Sequence, residues 1–318
     1  MTATRILPAD DAGLTQAAAL LRAGELVAMP TETVYGLAGD ARNDLAVARI
    51  YEVKNRPRFN PLIVHLAALE QVESVAVLTP LAARLAAAFW PGPLTLVLSL
   101  APGHGLSPLV TAGLESVAVR LPAHPVARAL LTRFGGPVAA PSANPSGRIS
   151  PVSPAHVLAG LEGRIAAVLD GGDCAVGLES TILDATGETP VLLREGGLTR
   201  EAIEAVTGPL QGARAGGAVT APGQLASHYA PRASLRLNAE RAAPGEVWIG
   251  FGRDFAGTRG LNLSPAGELT EAAAALFHLL HRADALAGAG GRIAVAPVPE
   301  AGLGRAINDR LRRAAAPR

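Results

Sequence analysis

Along the first two hundred residues, apolar positions gather into short β-branched runs separated by alanine-rich stretches with helical spacing. In "LTQAAALLRAGE" (14–25) the apolar residues recur three and four apart and stop near Gly24, which predicts a helix, and "LVAMP" (26–30) predicts the strand after it. A second helix is predicted over "LAVARIYEVKN" (45–55), with Asn43 and Asp44 as candidate caps. Pro57 and Pro61 end it before the strand "LIVHL" (62–66). Further strands are predicted at 94–100, 116–122, 137–143, 166–172, 180–185 and 191–197, with helices between several of them. Some neighbouring strands leave no room for a crossover helix, so the expected class is α/β with a mixed sheet. Residues 208–224, "GPLQGARAGGAVTAPGQ", are rich in Gly, Ala and Pro and have no hydrophobic period, which is the pattern of a linker. Beyond them "GEVWIGF" and "RIAVAPV" predict strands and helical patterns begin at Leu269 and Gly304, giving a small β/α module. The expected organisation is a larger domain over 1–207, a linker over 208–231 and a small domain over 232–318.

Composition narrows the class. Of 318 residues, 49% are hydrophobic and only 17% charged, against roughly 25% charged in an ordinary globular domain. No apolar run approaches the ~18 residues a membrane-spanning helix needs, and the first residues lack the succession of a signal peptide, so the cytoplasm is the expected location. The single cysteine, Cys174, excludes an intramolecular disulfide and a cysteine-based zinc cluster, and is expected to be a buried, inert thiol. Residues 1–231 carry 16 basic against 19 acidic side chains, a balance of −3, whereas residues 232–318 carry 12 against 8, a balance of +4. A domain built to grip a nucleic-acid backbone would be clearly basic. Any anion bound by the larger part should therefore be small and held by a few inward-pointing charges.

The candidate chemistry lies in loops at predicted strand ends. Neither GxxxxGK[ST] nor a strand-linked GxGxxG occurs, so phosphates would have to be met by side chains. "KNRPRFNPLIVH" (54–65) alternates Lys54, Arg56 and Arg58, adds Asn55 and Asn60, and is stiffened by prolines; Lys54 is the only lysine in the chain. Lysine is a compact point charge and arginine a planar fork, so a site shaped for a single oxygen discriminates between them. "PTETVYGLAGDA" (30–41) and "PSANPSGRISP" (141–151) each follow a predicted strand, the second offering Ser142, Asn144, Ser146, Arg148 and Ser150 as donors, although both are also ordinary turn chemistry. Ser180, Thr181 and Arg194 lie near further strand ends, and Arg120 closes an apolar strand, where an arginine commonly forms a salt bridge. No Ser-His-Asp order or HExxH motif is present, and His278 with His281, three apart on a helical pattern, reads as a solvent face more than as a ligand pair. The residues alone point to a site that positions two polar, anionic reactants by charge and hydroxyl contacts, with no nucleophile of its own.

Taken together, "PTETVYGL", "KNRPRFNPLIVH", "APSANPSGRIS", "ESTILD" and "LLREG", in this order and spacing, resemble the YrdC-like L-threonylcarbamoyladenylate synthases. "SHYAP" (227–231) and "GLGRAINDRLRRAA" (302–315) resemble the long, two-domain form of that family. The resemblance implies a YrdC-like twisted mixed sheet followed by a small Rossmann-like domain. It implies a reaction of L-threonine, bicarbonate and ATP that gives threonylcarbamoyl-AMP and pyrophosphate, with Mg2+ bridging substrate phosphates and no dedicated metal ligands. The product would pass to a separate tRNA threonylcarbamoyl transferase, for modification beside the anticodon, with any tRNA contact of this chain weak or indirect. Carried over by motif, L-threonine is expected at Thr33, His65, Arg120, Ala140 and Ser180. ATP is expected at Lys54, Arg56, Asn60, Ser116, Ser142, Ser150, Arg194 and Tyr229, with Lys54 and Arg56 as the catalytic charges. Gln224 and Leu225 depart from the family linker, which reads Pro-Gly-Met and a basic residue at this point. The alternatives are a double-stranded RNA or tRNA-binding protein, which the −3 balance disfavours, and a carbamoyl-transfer domain of hydrogenase-maturation type, which would need zinc-finger cysteines this chain lacks.

Overall fold

The computed structural model describes residues 3–212, 221–223, 227–253 and 261–317. Gln224 and Leu225 lie outside them. In chain order the elements are β1 (Arg5–Pro8), α1 (Asp11–Arg22), β2 (Val27–Met29), β3 (Gly36–Asp40), α2 (Asp44–Lys54), β4 (Ile63–His65), α3 (Pro80–Phe89), β5 (Leu94–Ser99), α4 (Pro108–Thr111), β6 (Ser116–Arg120), α5 (Pro125–Phe134) and β7 (Val138–Ala139). There follow α6 (Pro154–Leu161), β8 (Ala167–Asp170), β9 (Thr181–Asp184), β10 (Val191–Arg194), α7 (Arg200–Thr207), β11 (Gln211–Gly212), β12 (Ser234–Arg236), β13 (Glu246–Ile249), α8 (Leu269–Ala287), β14 (Arg292–Val295) and α9 (Leu303–Ala315).

The helix ends follow the capping chemistry of the sequence. Asn43 accepts hydrogen bonds from the amides of Leu45 and Ala46 at 3.0 and 3.2 Å, which satisfies donors that the first turn of α2 would otherwise leave unpaired. Asn55 closes α2 in the left-handed region, at φ 50°. The helix thus stops on Lys54, and the chain turns into the proline-stiffened loop that leads to β4.

Among the described residues, one sheet holds eleven strands in the order β1-β8-β2-β3-β7-β4-β6-β5-β9-β10-β11, and a second holds β12-β14-β13. The large sheet is mixed: β4 runs parallel to β6 and β5 parallel to β9, while β3, β7 and β10 pair antiparallel with neighbours. The small sheet is parallel throughout. Two departures from the predicted strands concern the site. The strand expected over 137–143 is reduced to Val138–Ala139, because Pro137 and Pro141 cannot donate to a ladder. The stretch 30–41, read as a loop, contains β3, whose glycines let the chain pass close under its neighbours.

Helices α1 and α5 cover one face of the β1-β8-β2 end through Leu14, Ala17, Leu21, Leu130 and Leu131. The main apolar core runs without interruption from the large sheet, through Tyr229, to Phe277, Ile293 and Val295 of the small domain. Each such large side chain removed from water contributes on the order of 1.5–3 kcal/mol, so the two sheets are joined by a shared interior. No described helix is long and apolar enough to cross a membrane.

Candidate active site

The pairing registers decide which side chains share a face. His65 lies opposite Arg120 on parallel strands, and side chains alternate along each strand. One face of β4 and β6 therefore presents Ile63 and His65, and Ala118 and Arg120. The register of β5 and β9 adds Thr95 and Val97, and Ser180 and Ile182, to the same face. A narrow cleft opens over it, lined by Ile63, His65, Arg120 and Ser180 together with Thr31, Thr33, Ala140, Ser142, Arg56, Glu179, Arg194, Gly223, His228 and Tyr229.

Three guanidinium groups converge here: Arg56, Arg120 and Arg194. Arg120 donates to the carbonyl of Gly92 at 3.2 Å and to the hydroxyl of Thr33 at 2.8 Å, and its Nη2 lies 2.7 Å from Glu32 Oε1. Nη2 pairs with Glu32 by charge without a hydrogen bond, so N–H groups of Arg120 remain for a ligand. Burial opposes ionisation of Glu32, but the charge of Arg120 outweighs it and holds the carboxyl below its ordinary range. Arg194 rests on neutral acceptors, the carbonyl of Ser180 at 2.8 Å, its hydroxyl at 3.2 Å and the carbonyl of Pro222 at 3.3 Å. Arg56 is fixed by Asn60, through the backbone carbonyl at 3.1 Å and Oδ1 at 2.7 Å, and by the carbonyl of Pro61 at 2.8 Å. Burial pulls its pKa down to about 10, which leaves it charged at neutral pH.

The residues expected at L-threonine, namely Thr33, His65, Arg120, Ala140 and Ser180, all line this cleft. His65 Nδ1 lies 3.3 Å from the carbonyl of Ile63. A carbonyl only accepts, so Nδ1 carries the proton and Nε2 is an acceptor. Burial, followed by Arg120, depresses the imidazole pKa to about 3, so the ring is neutral at physiological pH.

Of the residues expected at ATP, Arg56, Ser142, Arg194 and Tyr229 line the cleft. The other four are placed differently. Lys54 stands behind the wall: its buried ammonium donates to the carbonyls of Ser142 and Asn144, both at 2.5 Å, and lies 3.4 Å from Asn144 Oδ1. Burial and then Arg56 bring its pKa well below the ordinary lysine value. Asn60 acts through Arg56. Ser150 is buried and donates to Glu179 Oε1 at 2.5 Å. Ser116 lies on the Arg120 face of β6 but at the far end of the strand, opposite Ser99, about 13 Å along it from Arg120.

Tyr229 adopts a left-handed backbone, φ 61°, a strained conformation for a non-glycine residue. It turns the ring inward against His228, Phe277 and the guanidinium of Arg310, with centroid distances of 4.1, 5.7 and 5.3 Å. The sequence reading includes the Glu32 carboxyl in the 30–41 motif without a role for it, and passes over Glu179 and Arg310. The two carboxylates sit inside quoted motifs beside Thr33 and Ser180, so their neighbours were the available signal. Arg310 carried none, because nothing local distinguishes it from the surface arginines of α9. Among the described residues no cluster of three His, Cys, Asp or Glu side chains is arranged to hold a metal ion, and Glu179 on the cleft wall and Glu32 beside Arg120 are each held by an arginine.

Comparison with known proteins shows the family. The family model described as telomere recombination (Sua5_yciO_yrdC) matches residues 19–196, and that described as threonylcarbamoyl-AMP synthase, C-terminal domain, matches residues 198–316. The chain is 50% identical over 236 residues to a threonylcarbamoyl-AMP synthase of Bacillus subtilis, covering 73% of this chain and 68% of that protein. It is 48% identical over 226 residues to one of Pyrococcus abyssi, covering 69% and 66%. The crystal structure of P. abyssi Sua5 complexed with L-threonine superposes with a TM-score of 0.88 at 37% identity, covering 99% of this chain and 98% of that one. On its strand registers, its converging arginines and these matches, the chain belongs to the Sua5/YrdC family of threonylcarbamoyl-AMP synthases, in its two-domain form.

Proposed function

We propose that this chain is an L-threonylcarbamoyladenylate synthase, joining L-threonine, bicarbonate and ATP into threonylcarbamoyl-AMP with release of pyrophosphate, for N6-threonylcarbamoyladenosine formation in tRNA. The observation that carries the reading is the convergence of Arg56, Arg120 and Arg194 on one cleft in which, among the described residues, no side chain is paired with a base as a covalent nucleophile would be. On this reading a synthase domain (1–207) and a small domain (232–318) flank the linker (208–231). The threonine carboxylate takes the free N–H groups of Arg120, and the neutral His65 offers Nε2 to the amine or hydroxyl. Thr33, Ser180 and the backbone of Ala140 complete that end.

The amine and bicarbonate give a carbamate and water. A carbamate oxygen then attacks the α-phosphorus, and pyrophosphate leaves with the bond electrons. The substrates supply the nucleophile, so the protein's part is alignment and charge compensation. Arg56 and Arg194 face the phosphates, and the nucleotide extends along the sheet face toward Ser116 beneath Tyr229. Lys54, Asn60 and Ser150 hold the groups that touch it. A magnesium ion would enter on phosphate oxygens and water and neutralise phosphate charge, since Glu32 and Glu179 are already paired. The product goes to a separate transferase, and the tRNA need not touch this chain.

The test is incubation with ATP, labelled bicarbonate and single amino acids, followed by assay of pyrophosphate. Release that requires both threonine and bicarbonate is expected; release with serine as fast as with threonine would overturn the assigned specificity.

A further inference from the structure

A side chain of the small domain touches the wall of the cleft from behind. Arg310 lies on the inner face of α9 with Ala306, Ile307, Leu311 and Ala314, and is fully buried. A guanidinium out of water must be paired. Its Nε donates to Glu179 Oε2 at 2.8 Å, and its Nη1 to Asp309 Oδ2 at 2.8 Å. The other oxygen of Glu179 accepts from Ser150 Oγ at 2.5 Å. Both oxygens of the Glu179 carboxylate are thus occupied by groups that do not line the cleft, although Glu179 itself does. The next residue, Ser180, holds Arg194 through its carbonyl and hydroxyl. Among the described residues no carboxylate hydrogen-bonds Arg194; Glu179 and Asp309 act on its charge only from a distance.

We infer that Arg310 is a positioning residue: by holding the Glu179 carboxylate it keeps that group from pairing directly with Arg194 and leaves the N–H groups of Arg194 free for the nucleotide phosphates. The inference rests on the reading of the cleft as an ATP site. Without Arg310, Glu179 would be a buried carboxylate lacking its partner, on the same wall as Arg194. Pairing with Arg194 would then replace the interaction meant for phosphate. The threonine end would be spared, because Arg120 already has Glu32. The small domain therefore contributes to nucleotide affinity without touching the nucleotide.

The experiment compares the full-length wild type with Arg310→Met, Glu179→Gln and the double variant. It reads ATP binding by direct titration, KM for ATP and for threonine from pyrophosphate release, and thermal unfolding. Arg310→Met should weaken ATP binding and raise its KM by about tenfold, equivalent to about 1.4 kcal/mol, with the KM for threonine nearly unchanged. Adding Glu179→Gln to it should bring ATP affinity back to within about threefold of wild type, since no carboxylate remains to capture Arg194. If Arg310→Met fails to fold, the double variant, which carries no unpaired buried charge, decides by its own ATP affinity. Wild-type ATP affinity in Arg310→Met, or a double variant as weak as a tenfold loss, would reduce Arg310 to a docking contact and overturn the inference. A wild type that binds ATP but releases no pyrophosphate with threonine would count against the proposed function, while the titrations would still decide the role of Arg310.

Discussion

Lys54 shows how a single residue can be marked by sequence and explained only by contact. Its isolation among arginines singled it out for phosphate. The folded chain instead turns its three donors onto three oxygens of the 142–144 loop, which carries Ser142 into the cleft. A bulkier planar fork cannot aim at the same three oxygens from a fully buried position. Lys54→Arg should therefore shift the loop, lowering turnover by about tenfold or more and stability by about 2 kcal/mol, as measured by pyrophosphate release and urea denaturation. Wild-type values of both would refute the gripping role. Arg120 was the more legible residue: an arginine at the end of an apolar strand was expected to form a salt bridge, and it pairs with Glu32.

Between elements, the contact of α6 with α8 is the one that local pattern misjudged. His278 and His281 had the spacing of a solvent face. In the structure His281 stacks on His156 of α6 with ring centroids 3.9 Å apart, and His278 lies 5.1 Å from His156. Asp173 is 3.7 Å from His278, and Arg148, Arg232, Arg282 and Asp284 line the adjoining groove. Burial, then His281 and His278, depress the pKa of His156 to about 3, and burial depresses that of His281. An unfolded histidine titrates near 6.5, so from about pH 6.5 down to about 3 the unfolded chain binds more protons than the native one. The stability these rings contribute is complete above about pH 6.5 and is lost as the pH falls toward 3. The buried His65 and His228, both near 3, act in the same direction. Glu32 and Glu179, whose values are lowered, add to the loss only below the ordinary carboxylate range. The urea midpoint should accordingly begin to fall between pH 7 and 5.5, more shallowly in His156→Leu. A wild-type midpoint flat across that interval would contradict the burial of these rings.

At the scale of the molecule, the two domains meet through close backbone approach as well as a shared core. Gly177 has φ +71°, and a Cβ there would lie 2.6 Å from the carbonyl oxygen of Ala273 and 2.6 Å from the Cα of Ala274, both in the backbone of α8. Neither the conformation nor the contact admits a side chain. Gly177→Ala should push α8 away and loosen the small domain, with a loss of about 2–3 kcal/mol and faster proteolysis of the linker. Unchanged proteolysis and an unchanged unfolding midpoint would show that the domains do not depend on this approach. In the sequence Gly177 was one of 35 glycines. Its importance comes from a helix almost a hundred residues away.

What the sequence determined by itself was whatever depends on near neighbours: the helices and their caps, most strands, the mixed character of the sheet, and the order of motifs that revealed the family. The prolines around Val138–Ala139 and the glycine-rich β3 blurred strand lengths, because ladder pairing there is set by distant partners. Tertiary structure decided the electrostatics of the site. Arg120 and Arg194 meet through strand register and Arg56 through the loop after α2, and whether Glu179 pairs with Arg194 or is held elsewhere turns on Arg310, 131 positions further along the chain. Pairing energies between charges depend on distance and burial, and neither quantity is written in the spacing of residues along a chain.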